Sequence, residues 1–155
     1  MPYGYEFISF DQDSLATMKN KRVLFLCTGN SARSQMAEGL LRHIAPGRFN
    51  VVSAGVNPTE VNPLSVKVME EIGIDISRQR SKSVDEFLGQ LFDYVITLCD
   101  SARQSCPIFT GKYIKIHWDL EDPAQAQGTE EEKIKVFRKT RNQIKKHILK
   151  FLNLH

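Results

Sequence analysis

Val23-Leu24-Phe25-Leu26-Cys27-Thr28-Gly29-Asn30-Ser31-Ala32-Arg33-Ser34 decides the fold. A continuous apolar run ends on a cysteine. Five short residues follow, then an arginine, then helical periodicity. The pattern predicts a buried strand, a tight loop and a helix start. A loop entering a helix N-terminus aims backbone N–H groups inward, and the helix dipole adds positive potential. Small residues let the backbone curl around an anion. Arg33 can grip two oxygens of that anion at once. The same field favours the thiolate of Cys27, the reactive form of cysteine. The hydroxyl of Ser34 can hydrogen-bond that thiolate, and Asn30 can brace the loop through side-chain-to-backbone bonds. Thr28, Gly29, Asn30, Ser31, Ala32 and Arg33 thus read as an oxyanion cradle with a nucleophile at its base. A bare Cys-x5-Arg match would be weak; its place between a strand and a helix makes it specific. The bland alternative is an inert buried cysteine near a capping serine.

Outward from this loop, residues 22–26 form a first strand, apolar on both faces as a central parallel strand should be. The following helix carries Met36, Leu40, Leu41 and Ile44 on one side and ends by Pro46-Gly47. Phe49 to Ala54 is a second strand, closed by Gly55. Asn62 caps a helix starting at Pro63, with Leu64, Val68, Met69 and Ile72 on its inner face and Gly73 at its end. A polar, basic run from Arg78 to Ser83 leads to a short helix over Val84 to Leu91. Asp93 to Cys99 is a third strand, again ending on a cysteine, and Lys112 to Trp118 a fourth. Asp119 to Gly128 is a loop. Thr129 and three glutamates open a last helix to about Leu152, with Ile134, Phe137, Ile144, Ile148 and Phe151 inside. Strands alternating with helices imply an α/β fold: one domain with a four-stranded parallel sheet flanked by helices. Ligands then sit beyond the carboxyl ends of the strands, where both Cys27 and Cys99 fall.

The chain of 155 residues suits one domain with a real core. A net charge of +3 is too small to argue for nucleic acid, and the basic residues of the last helix read as a solvated face. No apolar run approaches the roughly 20 residues of a membrane span. There is no basic start followed by an apolar core, hence no signal-peptide pattern. Three cysteines make no disulfide framework, so a reducing cytoplasm is expected. Residues 1–19 read as an extension, with 1–17 expected to be dispensable for the chemistry; Met18-Lys19-Asn20-Lys21-Arg22 looks like a second natural start. Residues 20–155 make the domain. No metal spacing appears among His43, His117, His147 and His155. His43 and His147 read as surface helical residues. No dinucleotide-binding glycine pattern is present.

Two further constellations carry chemistry. Asp122-Pro123 offers an acid on a loop stiffened by proline, suited to protonating a departing oxygen. The residues alone fit a solvent-exposed turn equally well. Cys99 and Cys106 stand seven apart, which is neither a zinc pair nor a Cys-x-x-Cys motif. Were residues 100–106 helical, the thiols would lie about 10 Å apart along the axis, at about 1.5 Å per residue. A disulfide needs Cα atoms within roughly 7 Å, so joining them would require local unwinding. On spacing alone they read as two small buried apolar residues.

Cys27-Thr28-Gly29-Asn30-Ser31-Ala32-Arg33-Ser34-Gln35-Met36-Ala37-Glu38 resembles the low-molecular-weight protein tyrosine phosphatase superfamily. More narrowly, it resembles the thioredoxin-coupled arsenate reductases of that fold. The likeness extends through Ser53-Ala54-Gly55, Asn62-Pro63, Ile72 to Ser77, Thr97-Leu98-Cys99, Cys106-Pro107, His117-Trp118 and Asp122-Pro123-Ala124, in the family's order. It implies a low-molecular-weight phosphatase fold with the phosphatase loop after the first strand. It assigns Cys27 as nucleophile, Arg33 and Ser34 as its supports and Asp122 as general acid. It makes Cys99 and Cys106 relay cysteines that end as a redox disulfide. The implied activity is arsenate reduction in arsenic detoxification, with arsenate, phosphate or sulfate in the loop. Electrons would come from thioredoxin or a glutaredoxin-like reductant. A tightly bound cofactor, a metal, nucleic acid and membrane are not expected, and the chain is expected to be a monomer. The alternative is a low-molecular-weight tyrosine phosphatase using Cys27, Arg33 and Asp122. The small Ala124, Gln125 and Ala126 leave nothing aromatic to pack a phenol ring, which favours a small inorganic substrate, with weak phosphatase side activity. A thiol-based sensor without turnover would not need the acid Asp122. Some reductases of the family bind potassium through an Asn, a Glu, a Ser and an Asp. Asn30, Glu38 and Ser53 match three of these, and Lys82 stands at the fourth, where its ammonium would replace the cation.

Overall fold

The computed structural model describes residues 20–155. The reading of the N-terminal extension falls outside the described residues. Four strands form one sheet: β1 (Lys21–Cys27), β2 (Phe49–Gly55), β3 (Tyr94–Thr97) and β4 (Ile114–His117). Their order is β2-β1-β3-β4 and every pair is parallel. The expected α/β architecture is present, and β1 is central. Val23, Leu24, Phe25 and Leu26 are wholly buried because both faces of that strand are covered. Burying each such side chain stabilises the fold by about 1.5–3 kcal/mol. Strand β4 lies at the edge, and its Ile114 is half exposed.

Three longer helices pack on one another: α1 (Arg33–Ile44), α2 (Pro63–Glu70) and α4 (Glu130–Leu154). A five-residue helix, α3 (Asp100–Gln104), follows β3. Helix α2 starts as the sequence predicts: Asn62 Oδ1 accepts from Leu64 N at 2.9 Å, and Pro63 takes the first turn. Helix α4 opens with a capping box between Thr129 and Glu132. Buried Arg141 donates to the Val68 carbonyl at 2.7 Å and to Glu71 at 2.9 Å, and Arg138 also pairs Glu71 at 2.7 Å. These bonds tie α4 to the C-terminal end of α2. The two arginines hold the Glu71 carboxyl below its usual range, Arg138 contributing most. Among the described residues no helix is long and apolar enough to cross a membrane.

Several expectations shift by a few residues. Helix α2 stops before Ile72, which is exposed; Gly73 turns the chain at φ 78° and Ile74 becomes the buried residue. Strand β3 stops at Thr97, and Cys99 becomes the N-cap of α3. The predicted Val84–Leu91 helix is a single 3-10 turn, Val84–Phe87. His147 is not a free surface residue: its ring stacks on Trp118 at 4.9 Å, and the burial lowers its basicity.

Gly55, last in β2, has no room for a side chain. A Cβ there would stand 2.6 Å from the Thr28 carbonyl oxygen and 2.8 Å from Asn30 N. The backbone after β1 therefore lies directly against it. Gly55→Ala is expected to cost about 1–3 kcal/mol through overpacking. Urea unfolding measures the loss, and an unchanged midpoint would mean the loop does not depend on this contact.

Candidate active site

The segment Thr28–Ala32 leaves the carboxyl end of β1 and enters α1. Its carbonyls all point the same way. Those of Cys27, Thr28, Gly29 and Ser31 accept from the N–H groups of Val56, Asn57, Thr59 and Asn62, at 2.8 to 3.1 Å. The Asn30 carbonyl accepts from Gln35 Nε2 at 3.0 Å and from the Ser81 hydroxyl. A trans peptide points its N–H opposite to its C=O. With the carbonyls held outward, the N–H groups of residues 28 to 32 face the concave side. The N-cap of α1, Ala32, has no side chain that could block its first turn. The concave surface is therefore a ring of donors at a helix N-terminus, an anion site by construction.

Asn30 holds this ring in shape. It is the one non-glycine among the described residues at positive φ, 46°. Its Nδ2 donates to Ser34 Oγ at 2.8 Å and Ser53 Oγ at 2.9 Å, and its Oδ1 accepts from Lys82 N at 2.8 Å. Ser53 donates onward to Glu38 Oε1 at 2.7 Å. Ser34 Oγ accepts from Asn30 and lies 2.8 Å from Cys27 Sγ, so its own proton is available to the sulfur.

Arg33 is buried, yet its guanidinium is only partly engaged. It donates to the Leu120 carbonyl at 3.2 Å and stands 3.6 Å from Asp122 Oδ2. The latter is too long for a hydrogen bond, so donors remain for a bound anion. Asp122 Oδ1 caps the turn Pro123–Gln125 by accepting from Ala124 N at 3.0 Å. That bond leaves Oδ2 facing Arg33. Cys27, Thr28, Gly29, Ser31, Ala32, Arg33 and Asp122 line one cleft of about 260 Å³, with Asn57, Thr59, Ala124 and Gln125 on its rim. Such a volume lies at the small end for ligand sites.

The other cysteines flank this cleft. All three are free thiols. Cys99 is buried, and its Sγ lies 3.2 Å from the Thr28 hydroxyl and accepts weakly from Ala102 N at 3.4 Å. It thus stands against the wall of the loop. Cys106 lies beyond the far end of α3 and donates to the Pro107 carbonyl at 3.5 Å. Burial pushes its thiol up, and Lys115 offsets this in part. The structure brings Cys99 to the predicted site and leaves Cys106 apart, with a helix between them. Sequence reasoning missed Asn57, Thr59, Gln35 and Ser81. Nothing local marks Asn57 and Thr59 as cleft residues, or Gln35 and Ser81 as anchors of residue 30.

Cys27, Arg33 and Asp122 thus meet at one cleft whose loop and helix N-terminus suit a tetrahedral oxyanion. Residues 22–154 match the low molecular weight phosphotyrosine protein phosphatase family, and the chain belongs to it. Within that family its relatives carry a narrower name. It is 48% identical over 134 residues to an arsenate reductase of Halalkalibacterium halodurans, covering 86% of this chain and 96% of that protein. It is 45% identical to an arsenate reductase of Bacillus subtilis over the same shares. Among solved structures it is similar to an arsenate reductase in its phosphate-binding state, with TM-score 0.75 and 36% identity over 86% of this chain and 97% of the other. It is also similar to a low molecular weight protein tyrosine phosphatase from T. tengcongensis, with TM-score 0.70 and 28% identity over 88% and 100%.

Lys82 closes the back of the site. Its ammonium donates to the Arg80 carbonyl at 2.7 Å and lies 3.8 Å from Glu38 Oε1, beside Ser53 and Asn30. Burial lowers its pKa, and Glu38 opposes that shift. The Lys82 ammonium beside Glu38 is expected to make an external cation redundant. Phosphate affinity is expected to be the same in sodium and in potassium salts. Lys82→Asp is expected to weaken binding in sodium and to recover part of the loss in potassium. Isothermal titration with phosphate checks both, and a potassium effect on the unaltered protein would overturn the reading.

Proposed function

We propose that this protein reduces arsenate to arsenite through a thiol relay. The observation that carries the proposal is the Thr28 hydroxyl at 3.2 Å from Cys99 Sγ. It sets a second thiol at the edge of an oxyanion cradle built around the first. A hydrolase has no use for that sulfur. The names of the relatives support the same reading.

Arsenate sits in the amide ring with two oxygens on Arg33. The Cys27 thiolate attacks arsenic, and Asp122 gives a proton to the departing oxygen, which leaves as water. Cys99, as thiolate, attacks Cys27 Sγ. The sulfur–sulfur bond forms, the sulfur–arsenic bond breaks, and its electron pair stays on arsenic, now arsenite. Cys106 then attacks Cys99 and releases the Cys27 thiolate. Two thiols have become one disulfide, and two electrons have reached arsenic. Each exchange needs a thiolate in reach of the next sulfur. Asp100–Gln104 must unwind for the last one, because an intact helix holds its two ends apart. A dithiol reductant of the thioredoxin type would restore Cys99 and Cys106. Loss of α3 would free Cys106 from the surroundings that raise its pKa.

The test is arsenate-dependent oxidation of NADPH through thioredoxin reductase and thioredoxin. Cys27→Ser, Cys99→Ser and Cys106→Ser should each fall to background. Asp122→Asn should lose roughly 10²–10⁴-fold. Cys99→Ser should keep whatever slow p-nitrophenyl phosphate hydrolysis the unaltered protein has, since that reaction needs only the loop and the acid. Full turnover without Cys99 or Cys106 would sink the relay. Phosphate-ester hydrolysis far above arsenate turnover would make the chain a phosphatase.

A further inference from the structure

We propose that Asp100, His117 and Asp119 form a divalent-cation site that clamps the start of α3 to the end of β4. The clamp's consequence for turnover rests on the thiol-relay reading; the site itself does not. One ligand atom from each of the three residues lies within 4.8 Å of the other two. They come from three elements: the first residue of α3, the last of β4, and the loop after it. Only the folded chain brings them together.

His117 is prepared for such a role. Its Nδ1 lies 2.8 Å from the Thr97 hydroxyl, which also reaches the Ile116 carbonyl at 3.4 Å. With its one proton turned to that carbonyl, the hydroxyl accepts from Nδ1–H. That tautomer leaves Nε2 as a bare lone pair. Nε2 is buried and, among the described residues, has no hydrogen-bond partner. The nearest carboxylate oxygen, Asp100 Oδ1, is 3.6 Å away, short of a hydrogen bond. A ring whose second nitrogen is fixed by an oxygen is the usual setting of a metal-bound histidine. Imidazole with two carboxylates and no thiolate suits a hard or borderline dication. One charged group faces the cluster and competes: Arg103, whose guanidinium pairs Asp100 Oδ1 at 2.9 Å. Both partners of that pair are exposed, so a dication can displace it at small cost.

Ligation would hold Asp100, and with it the first turn of α3, against the sheet. Cys99 and Cys106 cannot meet until that helix unwinds. A bound cation would therefore slow the step that joins them and leave the chemistry at Cys27 untouched.

Mn²⁺ is the probe, because the soft thiolates of this chain bind it poorly. Titration of the reduced protein, followed by the electron paramagnetic resonance of free Mn²⁺, should give one site per chain. An affinity near the weak end of carboxylate sites, on the order of 10⁻⁴ M, is expected. Asp119→Asn and His117→Gln should each weaken it about tenfold or more. Arg103→Gln should tighten it by freeing Asp100, an effect that general misfolding would not produce. Mn²⁺ should also slow diamide-driven formation of the Cys99–Cys106 disulfide several-fold in a Cys27→Ser background. That readout needs no arsenate, so it stands or falls apart from the activity assay. Absence of binding below about 1 mM, or binding indifferent to all three substitutions, would overturn the site. Binding without any change in the disulfide rate would overturn the clamp.

Discussion

Asn30 is the constraint on which the rest depends. A residue with a side chain is held at φ 46° by partners on its side-chain amide and its carbonyl: Ser34 and Ser53 on its Nδ2, the Lys82 N–H on its Oδ1, and Gln35 and Ser81 on its backbone oxygen. Such backbone conformations persist only where the surroundings over-determine them. The same bonds have a direction. The Asn30 amide spends both protons on hydroxyls, which leaves the Ser34 proton free for Cys27 and sends that of Ser53 to Glu38. One strained residue thus fixes the curvature of the anion ring and the donor that faces the nucleophile.

The cradle is made from the sheet as much as from its own loop. Segment 56–62 accompanies the loop like a further strand, taking its carbonyls one after another. Gly55 lets the two backbones approach, which a Cβ at 2.6 Å from the Thr28 carbonyl would prevent. Lys82 stands behind both, with its backbone on Asn30 and its ammonium on Glu38. Positive charge comes from Arg33, the helix end and the Lys82 ammonium, in a setting where little water screens it.

Much of this was legible in the sequence where the signal is local. The apolar run ending at Cys27, the small-residue loop and Asn62-Pro63 each carry their meaning within a few residues, and their elements appear as expected. Boundaries set by tertiary partners were not. Strand β3 ends at Thr97 because its edge neighbour β4 ends at His117, which lies opposite it. Ile72 follows helical spacing but falls beyond the helix end, in the turn that Gly73 completes. His147 looked solvent-facing because nothing in α4 announces Trp118. Ser81 acts on a residue 51 positions before it, Gln35 reaches back five positions with no pattern to announce it, and Asn57 and Thr59 line the cleft only through β2. The family resemblance supplied the roles of Cys99 and Cys106, which spacing alone would have left as core.

One frame can serve hydrolysis or reduction because the adduct on Cys27 offers two electrophilic atoms. Phosphorus holds its electrons too loosely to accept another pair, so a phosphocysteine waits for water at phosphorus. Arsenic(V) accepts an electron pair, and the sulfur joined to it becomes open to attack by a second thiolate. What the protein must add is a thiolate already in place. Cys99, held at the wall of the loop by Thr28 and capped onto Ala102, has lost most of its freedom before any substrate arrives. A thiol restricted in this way gives up less freedom on reacting than a free one would. Water in the cleft has no comparable advantage. On the proposed relay, the outcome would be decided less by the cradle, which both chemistries share, than by the short helix that positions Cys99 and would have to come apart to regenerate it.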